Sequence, residues 1–174
     1  MLAAIKALKE GTITKIVLTR PAVGVDDEKH GFLPGDLNAK LDPWVRPLID
    51  VVSEYYDQKE IARMLDEKII ELAPLAFLRG RNLKDAFIVC DEMQNASVNQ
   101  MKMILTRIAE NSKMVITGDL NQRDRKFYND DGLGDFIDRL RERDSTRIAH
   151  AEFTRRDIQR HPVVAEVLNI YGEE

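Results

Sequence analysis

The sequence predicts an α/β fold: a mostly parallel sheet with helices on both faces. Short apolar, β-branched runs alternate with stretches of helical period along the whole chain, the pattern of strand–helix units packed side by side. The run Ala86-Phe87-Ile88-Val89-Cys90 has no polar break, as expected of a strand covered on both faces. A length of 174 residues with 44% hydrophobic content suffices for one compact domain with an ordinary core.

Each element follows from local pattern. Met1 to Glu10 reads as a helix closed by Gly11, and Ile13 to Thr19 as a buried strand. Residues 20–42 carry glycines and prolines without a sustained period, so a long loop is expected there. Asp42-Pro43 forms an N-cap and first helical position, with Val45, Leu48, Ile49 and Val52 on one face and a bend at Pro47. A short helix over Gln58 to Glu67 precedes the apolar run Ile69 to Pro74. The basic turn Arg79-Gly80-Arg81 separates that run from Ala86 to Cys90. Ser97 and Gln100 make a capping box, behind which Met101, Ile104, Leu105 and Ile108 form a helical stripe. Lys113 to Thr117 is a further strand, and residues 121–131 are polar and turn-rich. Leu133, Phe136, Ile137 and Leu140 mark another helix. Arg147 to Phe153 is expected to be a last strand. Pro162 opens a closing helix with Val163, Val164, Val167 and Leu168 as its apolar face.

Composition removes several classes. Lys+Arg 26 against Asp+Glu 30 gives a net charge of −4, which excludes a strongly basic nucleic-acid coat but not a local basic patch. No apolar run is long enough to span a bilayer, and MLAAIKALKEG lacks the layout of a secretory signal. The lone Cys90 cannot form an intramolecular disulfide, which suits a reducing cytoplasm. The expected localisation is cytoplasmic, with no membrane partner.

The chemistry concentrates at two strand ends. The apolar run 86–90 stops at Asp91-Glu92, and in open parallel sheets ligands gather at the carboxyl ends of the strands. A strand-end Asp can hold Mg²⁺ on phosphates while a neighbouring Glu orients and deprotonates water. The next strand ends in Gly118-Asp119, followed by Gln122, whose amide can bond a γ-phosphate or a water. Together the two ends favour nucleoside triphosphate chemistry over a plain exit from the core.

Basic residues form a third feature. Arg139, Arg141, Arg143, Arg147, Arg155, Arg156 and Arg160 outnumber the nearby acids, mostly as a solvated face. Arg160 stands apart, because it directly precedes the helix opened by Pro162 and can join that helix's positive end against an anion. Arg20 follows a strand, and Arg79 and Arg81 flank a glycine; each is either a solvated turn or a phosphate-backbone contact. The scattered histidines offer no ligand cluster, and no nucleophilic triad is visible.

Several blocks resemble PhoH-like proteins: Ile16-Val17-Leu18-Thr19-Arg20-Pro21, Gly31-Phe32-Leu33-Pro34-Gly35-Asp36, Asp42-Pro43 with Arg46-Pro47-Leu48, and Ala73-Pro74-Leu75-Ala76 with Arg79-Gly80-Arg81. Asp91-Glu92 with Gln94-Asn95, Gln100-Met101-Lys102-Met103 through Ile108, Gly118-Asp119 and Arg160-His161-Pro162-Val163-Val164 extend the match over essentially the whole chain. The resemblance implies a cytoplasmic ATPase with a RecA-like P-loop NTPase core, related to the motor domain of superfamily-one helicases and acting on RNA. It assigns Mg²⁺ to Asp91, the catalytic base to Glu92, γ-phosphate sensing to Gln122 in the loop of Gly118 and Asp119, and an arginine finger to Arg160, reaching a neighbouring subunit of a ring. Arg20, Arg79 and Arg81 carry over as contacts to nucleotide or RNA.

Two departures stand out. Arg123 to Asp131 does not follow the family's wording after the Gln. The glycine-rich loop G-x-x-G-x-G-K-[ST] occurs nowhere in the chain, which opens on what resembles the helix after that loop. The expectation is therefore a single PhoH-like domain over 1–174, N-terminally truncated, missing its first strand and P-loop. ATP and Mg²⁺ are the expected ligands, and a companion chain is one source for the missing part. The alternative is a nucleotide-independent remnant that binds RNA or a partner through the basic turns. A metal-dependent ribonuclease using Asp91, Glu92 and Asp119 is a third reading.

Overall fold

The computed structural model describes residues 1–21, 46, 49–122, 130–154, 157 and 162–171. The chain divides into two compact units, Met1–Arg139 and Leu140–Glu174. The first holds α1 (Leu2–Lys9), β1 (Lys15–Thr19), α2 (Gln58–Asp66), β2 (Ile70–Leu72), β3 (Ala86–Cys90), α3 (Val98–Leu105) and β4 (Lys113–Ile116). Helix α4 (Gly132–Arg141) ends it, and α5 (Pro162–Tyr171) lies in the second unit.

The sheet is parallel throughout, in the order β2-β1-β3-β4. Strand β1 aligns Ile16 with Ile70 on one side and with Phe87 on the other, while Cys90 of β3 aligns with Ile116 of β4. All five residues of β3 are buried, because alternate side chains serve two cores. Val17, Ile88 and Cys90 face one core with Met101, Ile104 and Leu133; Ile16, Leu18, Phe87 and Val89 face the other with Ala4, Ile5, Ile61 and Met64. Helices α1 and α2 thus cover one face, and α3 and α4 the other. The fold class is the α/β class expected from the sequence.

Local chemistry fixes the helices. Asp57 Oδ1 accepts from Glu60 N at 2.8 Å to start α2. The capping box of α3 is complete: Gln100 N donates to Ser97 Oγ at 3.2 Å, and Ser97 N donates to Gln100 Oε1 at 2.9 Å. The segment that enters α4 is pinned on that same helix end, with Val98 N donating to Asp130 Oδ1 at 2.8 Å and Gly132 N to Ala96 O at 2.9 Å. Gly132 lies so close to the Ser97 carbonyl that any Cβ there would meet backbone. The helix started at Asp42-Pro43 is seen over 49–53, with Val52 buried; its cap, and the loop that precedes it beyond Pro21, lie outside the described residues.

One sequence expectation needs correction. Arg147 to Phe153 is not a strand: it forms no ladder among the described residues and is exposed throughout. Ser145 Oγ instead accepts from Ile148 N at 3.1 Å. In α5, Val163 and Val167 are exposed and Val164 is partly buried, while the side chain of Leu168 lies outside the described residues.

Candidate functional site

The carboxyl ends of β1, β3 and β4 bring one set of polar side chains together. Backbone bonds first lock the strand exits: Asp91 N donates to Thr19 O at 2.9 Å, Thr117 N to Cys90 O at 2.9 Å, and Met93 N to Thr117 O at 3.0 Å. Glu92 takes a left-handed conformation, φ 55° and ψ 35°, and starts the short 3-10 turn Met93–Asn95. A non-glycine residue there costs on the order of 1 kcal/mol, which the flanking bonds must offset.

The side chains form a chain of contacts across three strand ends. Thr117 Oγ1 donates to Asp91 Oδ1 at 2.6 Å. Arg20 Nη2 lies 3.1 Å from Asp91 Oδ2 and 3.1 Å from Glu92 Oε1. Gln94 Nε2 donates to Glu92 Oε2 at 2.6 Å, and Gln94 Oε1 accepts from Asp119 N at 3.2 Å. Asp119 Oδ2 then accepts from Gln122 Nε2 at 2.9 Å, and its Oδ1 from Asn121 N at 2.9 Å. Glu92 and the turn holding Gln122 are therefore connected through one buried amide.

Gly118 makes that connection fit. A Cβ at 118 would stand 2.6 Å from Leu133 Cδ2, 2.8 Å from Gln94 Oε1 and 3.0 Å from Gln94 N. The strand-exit glycine read from sequence as a turn former is also a close-packing residue. The sequence reasoning singled out Asp91, Glu92, Gly118, Asp119 and Gln122, which the fold brings together with Arg20. It missed Gln94 and Thr117 as site residues. A glutamine three residues past a buried-strand Asp, with no apolar stripe to explain its burial, was the available signal for the first.

The other predicted residues stand elsewhere. Arg81 holds Glu71 of β2 with both guanidinium nitrogens, Nη2 to Oε2 at 2.9 Å, so it is a structural clamp between β2 and the turn before β3. That bond keeps the Glu71 carboxyl below its ordinary range and raises the Arg81 guanidinium. Arg79 is exposed, beside Phe77, which is also exposed. Arg160 lies outside the described residues. Burial pushes the Cys90 thiol up to about 12, which makes it inert.

Asp91 and Glu92 offer hard oxygen donors of the kind Mg²⁺ takes when phosphates and waters complete its shell, so the residues fit that ion. Among the described residues no three His, Cys, Asp or Glu side chains converge as a metal cluster, which tells against the two-metal ribonuclease reading through Asp119. Likewise no described helix is long and apolar enough to cross a membrane.

Comparison with known proteins meets this geometry from outside. The chain is 45% identical over 172 residues to a PhoH-like protein of Mycobacterium tuberculosis, covering 99% of this chain and 48% of that protein. It is 44% identical over 171 residues to the PhoH-like protein of Bacillus subtilis, covering 98% and 53%, and 34% identical over 171 residues to Protein PhoH of Escherichia coli, covering 97% and 48%. The chain spans about half the length of the curated relatives it matches. The family model described as PhoH-like protein matches residues 1–172, and with those identities along the same span the chain belongs to the PhoH family.

Proposed function

We propose that this chain carries the hydrolytic half of an ATP-binding, ATP-hydrolysing protein that acts on RNA in the cytoplasm. The observation that supports the reading is the linkage of Asp91 and Glu92, at the end of the fully buried β3, to the Gly118–Gln122 turn after the neighbouring strand through Gln94. Asp91 would hold Mg²⁺, which supplies charge neutralisation on the phosphates. Glu92 would orient and deprotonate the attacking water, with Gln94 fixing one of its oxygens. Gln122 would meet the γ-phosphate, with Asp119 fixing its amide, and Arg160 would serve as the arginine finger. None of these residues can hold a triphosphate in place, a task that needs converging amides and a lysine.

A further strand leading into such a loop would need a free sheet edge, and among the described residues β4 is one of the two. The test is phosphate release from three proteins: the 174-residue chain, a form extended at its N-terminus by the family's glycine-rich loop, and the extended form with Glu92→Gln. Release is expected only from the second, with ATP binding retained in the third. Robust release from the 174-residue chain, lost on Glu92→Gln, would sink the division of labour. The nucleotide-independent alternative draws on Phe77 and Arg79, an aromatic and a cation that are both exposed, residue types that single-stranded RNA contacts use. RNA affinity unchanged by nucleotide in the extended form would favour it.

A further inference from the structure

Arg20 holds a position that its sequence context did not suggest. It leaves β1 directly, its carbonyl accepts from Leu75 N at 3.3 Å, and its side chain is 17% exposed. One terminal nitrogen forks to both acids, 3.1 Å from each. The remaining oxygens of the pair are taken as well, Asp91 Oδ1 by the Thr117 hydroxyl and Glu92 Oε2 by the Gln94 amide. Each of the four carboxylate oxygens therefore already faces a donor or a cation. Two carboxylates this close repel one another, and a fixed guanidinium between them relieves that repulsion.

We propose that Arg20 is a tethered counter-ion of the acidic pair, and that its contact with Asp91 and Glu92 and the binding of a divalent cation by them are mutually exclusive. The inference rests on the metal-binding part of the function proposed above. A divalent ion needs lone pairs that Arg20 now engages, and at such separations it is repelled by the guanidinium charge. Uptake of the ion therefore requires the arginine to swing away from its anchored backbone. Arg20 is in this sense a positioning residue: it holds the pair ready in one state and yields it in the other.

The experiment is Mn²⁺ titration of the 174-residue chain, with free Mn²⁺ read by electron paramagnetic resonance. Arg20→Gln is expected to bind Mn²⁺ about tenfold tighter than the unsubstituted chain, since one opposing charge is removed at contact distance. The gain should vanish when Asp91→Asn is added, which separates this site from other acidic residues. Mn²⁺ should also raise the melting temperature of Arg20→Gln more than that of the unsubstituted chain. If Arg20→Gln does not fold, Arg20→Met, which removes the charge but keeps a long side chain, should still bind more tightly than the unsubstituted chain. Equal or weaker Mn²⁺ binding in the folded variant overturns the proposal. The readout needs no ATP, so inactivity of the extended protein would refute the ATPase reading while leaving this result standing.

Discussion

Replacing Gly118 by alanine tests the close packing on which the candidate site depends. The new methyl would sit 2.6 Å from Leu133 Cδ2, 2.8 Å from Gln94 Oε1 and 3.0 Å from Gln94 N, and the last of these is backbone that cannot rotate away. Relieving it means moving Gln94, which gives up its bonds to Glu92 and to Asp119 N inside a region where Gln94 is 1% exposed. Overpacking costs about 1–3 kcal/mol, and a buried amide left without a partner costs about the same again, so a loss of about 2–6 kcal/mol is expected. For a chain of this size that corresponds to a melting temperature lower by roughly 4–24 °C. Gly80→Ala is the control: Gly80 has φ +77° and nothing within 4 Å of its would-be Cβ, so only left-handed strain applies. That strain is about 1 kcal/mol, a few degrees. Differential scanning calorimetry of both variants decides the matter. Gly118→Ala melting no lower than Gly80→Ala would refute the packing argument. A double variant with Leu133→Ala should lose less than the sum of its parts, because one clash has been removed.

Three further outcomes are expected. Glu71→Gln should cost ~1 kcal/mol at neutral pH, a figure discounted because Arg81 is partly exposed. The Glu71 carboxyl lies below its ordinary value of 4.5, so this contribution is complete above pH 4.5 and fades as the pH falls through the lower folded value. Urea midpoints of the two proteins should therefore converge in acid, and a constant gap from pH 7 to 3 would exclude the ion pair as the cause. Arg79→Ala should lower affinity for unrelated single-stranded RNAs alike and flatten the salt slope by about 0.7, whereas Arg81→Ala should chiefly lower stability. Equal slopes for Arg79→Ala and the unsubstituted chain would return Arg79 to a solvated turn. Cys90, with its thiol pushed up to about 12, should react with a disulfide reagent at pH 8 only as fast as the domain unfolds. Rapid labelling without denaturant would mean that β3 opens locally.

Much of the architecture could be read from residue pattern, for identifiable reasons. Strand β3 coincides with the unbroken run Ala86 to Cys90, because a strand buried on both faces has no tolerance for a polar residue. The capping box at Ser97 and Gln100 is a local hydrogen-bond motif and needs no tertiary context to be seen. Arg147 to Phe153 misled because Ile148 and Phe153 suit a strand, while pairing depends on an edge that only the fold can supply. Asp91, Glu92 and Gln122 were legible from their place after apolar runs. The roles of Arg20 and Gln94 were not, since an ion pair between residues 20 and 91 and an amide bridging two turns depend on strand order, which local pattern does not encode. Arg81 shows the same limit from the other side: a turn arginine looks solvated until its carboxylate partner on β2 is known.

The all-parallel sheet also sets the order in which the chain can assemble. No strand pair can close through a tight hairpin, so each must wait for a crossover to collapse. The contact between Ala86 N and Ser112 Oγ spans 26 residues, whereas that between Thr14 and the Asp85 carbonyl spans 71. Loop closure favours the shorter span, and the self-capped α3 lies within it. The unit β3–α3–β4, which carries Asp91, Glu92, Gln94 and Thr117, is thus the natural nucleus. By the same loop-closure argument, β1, which brings Arg20, is expected to join after that unit.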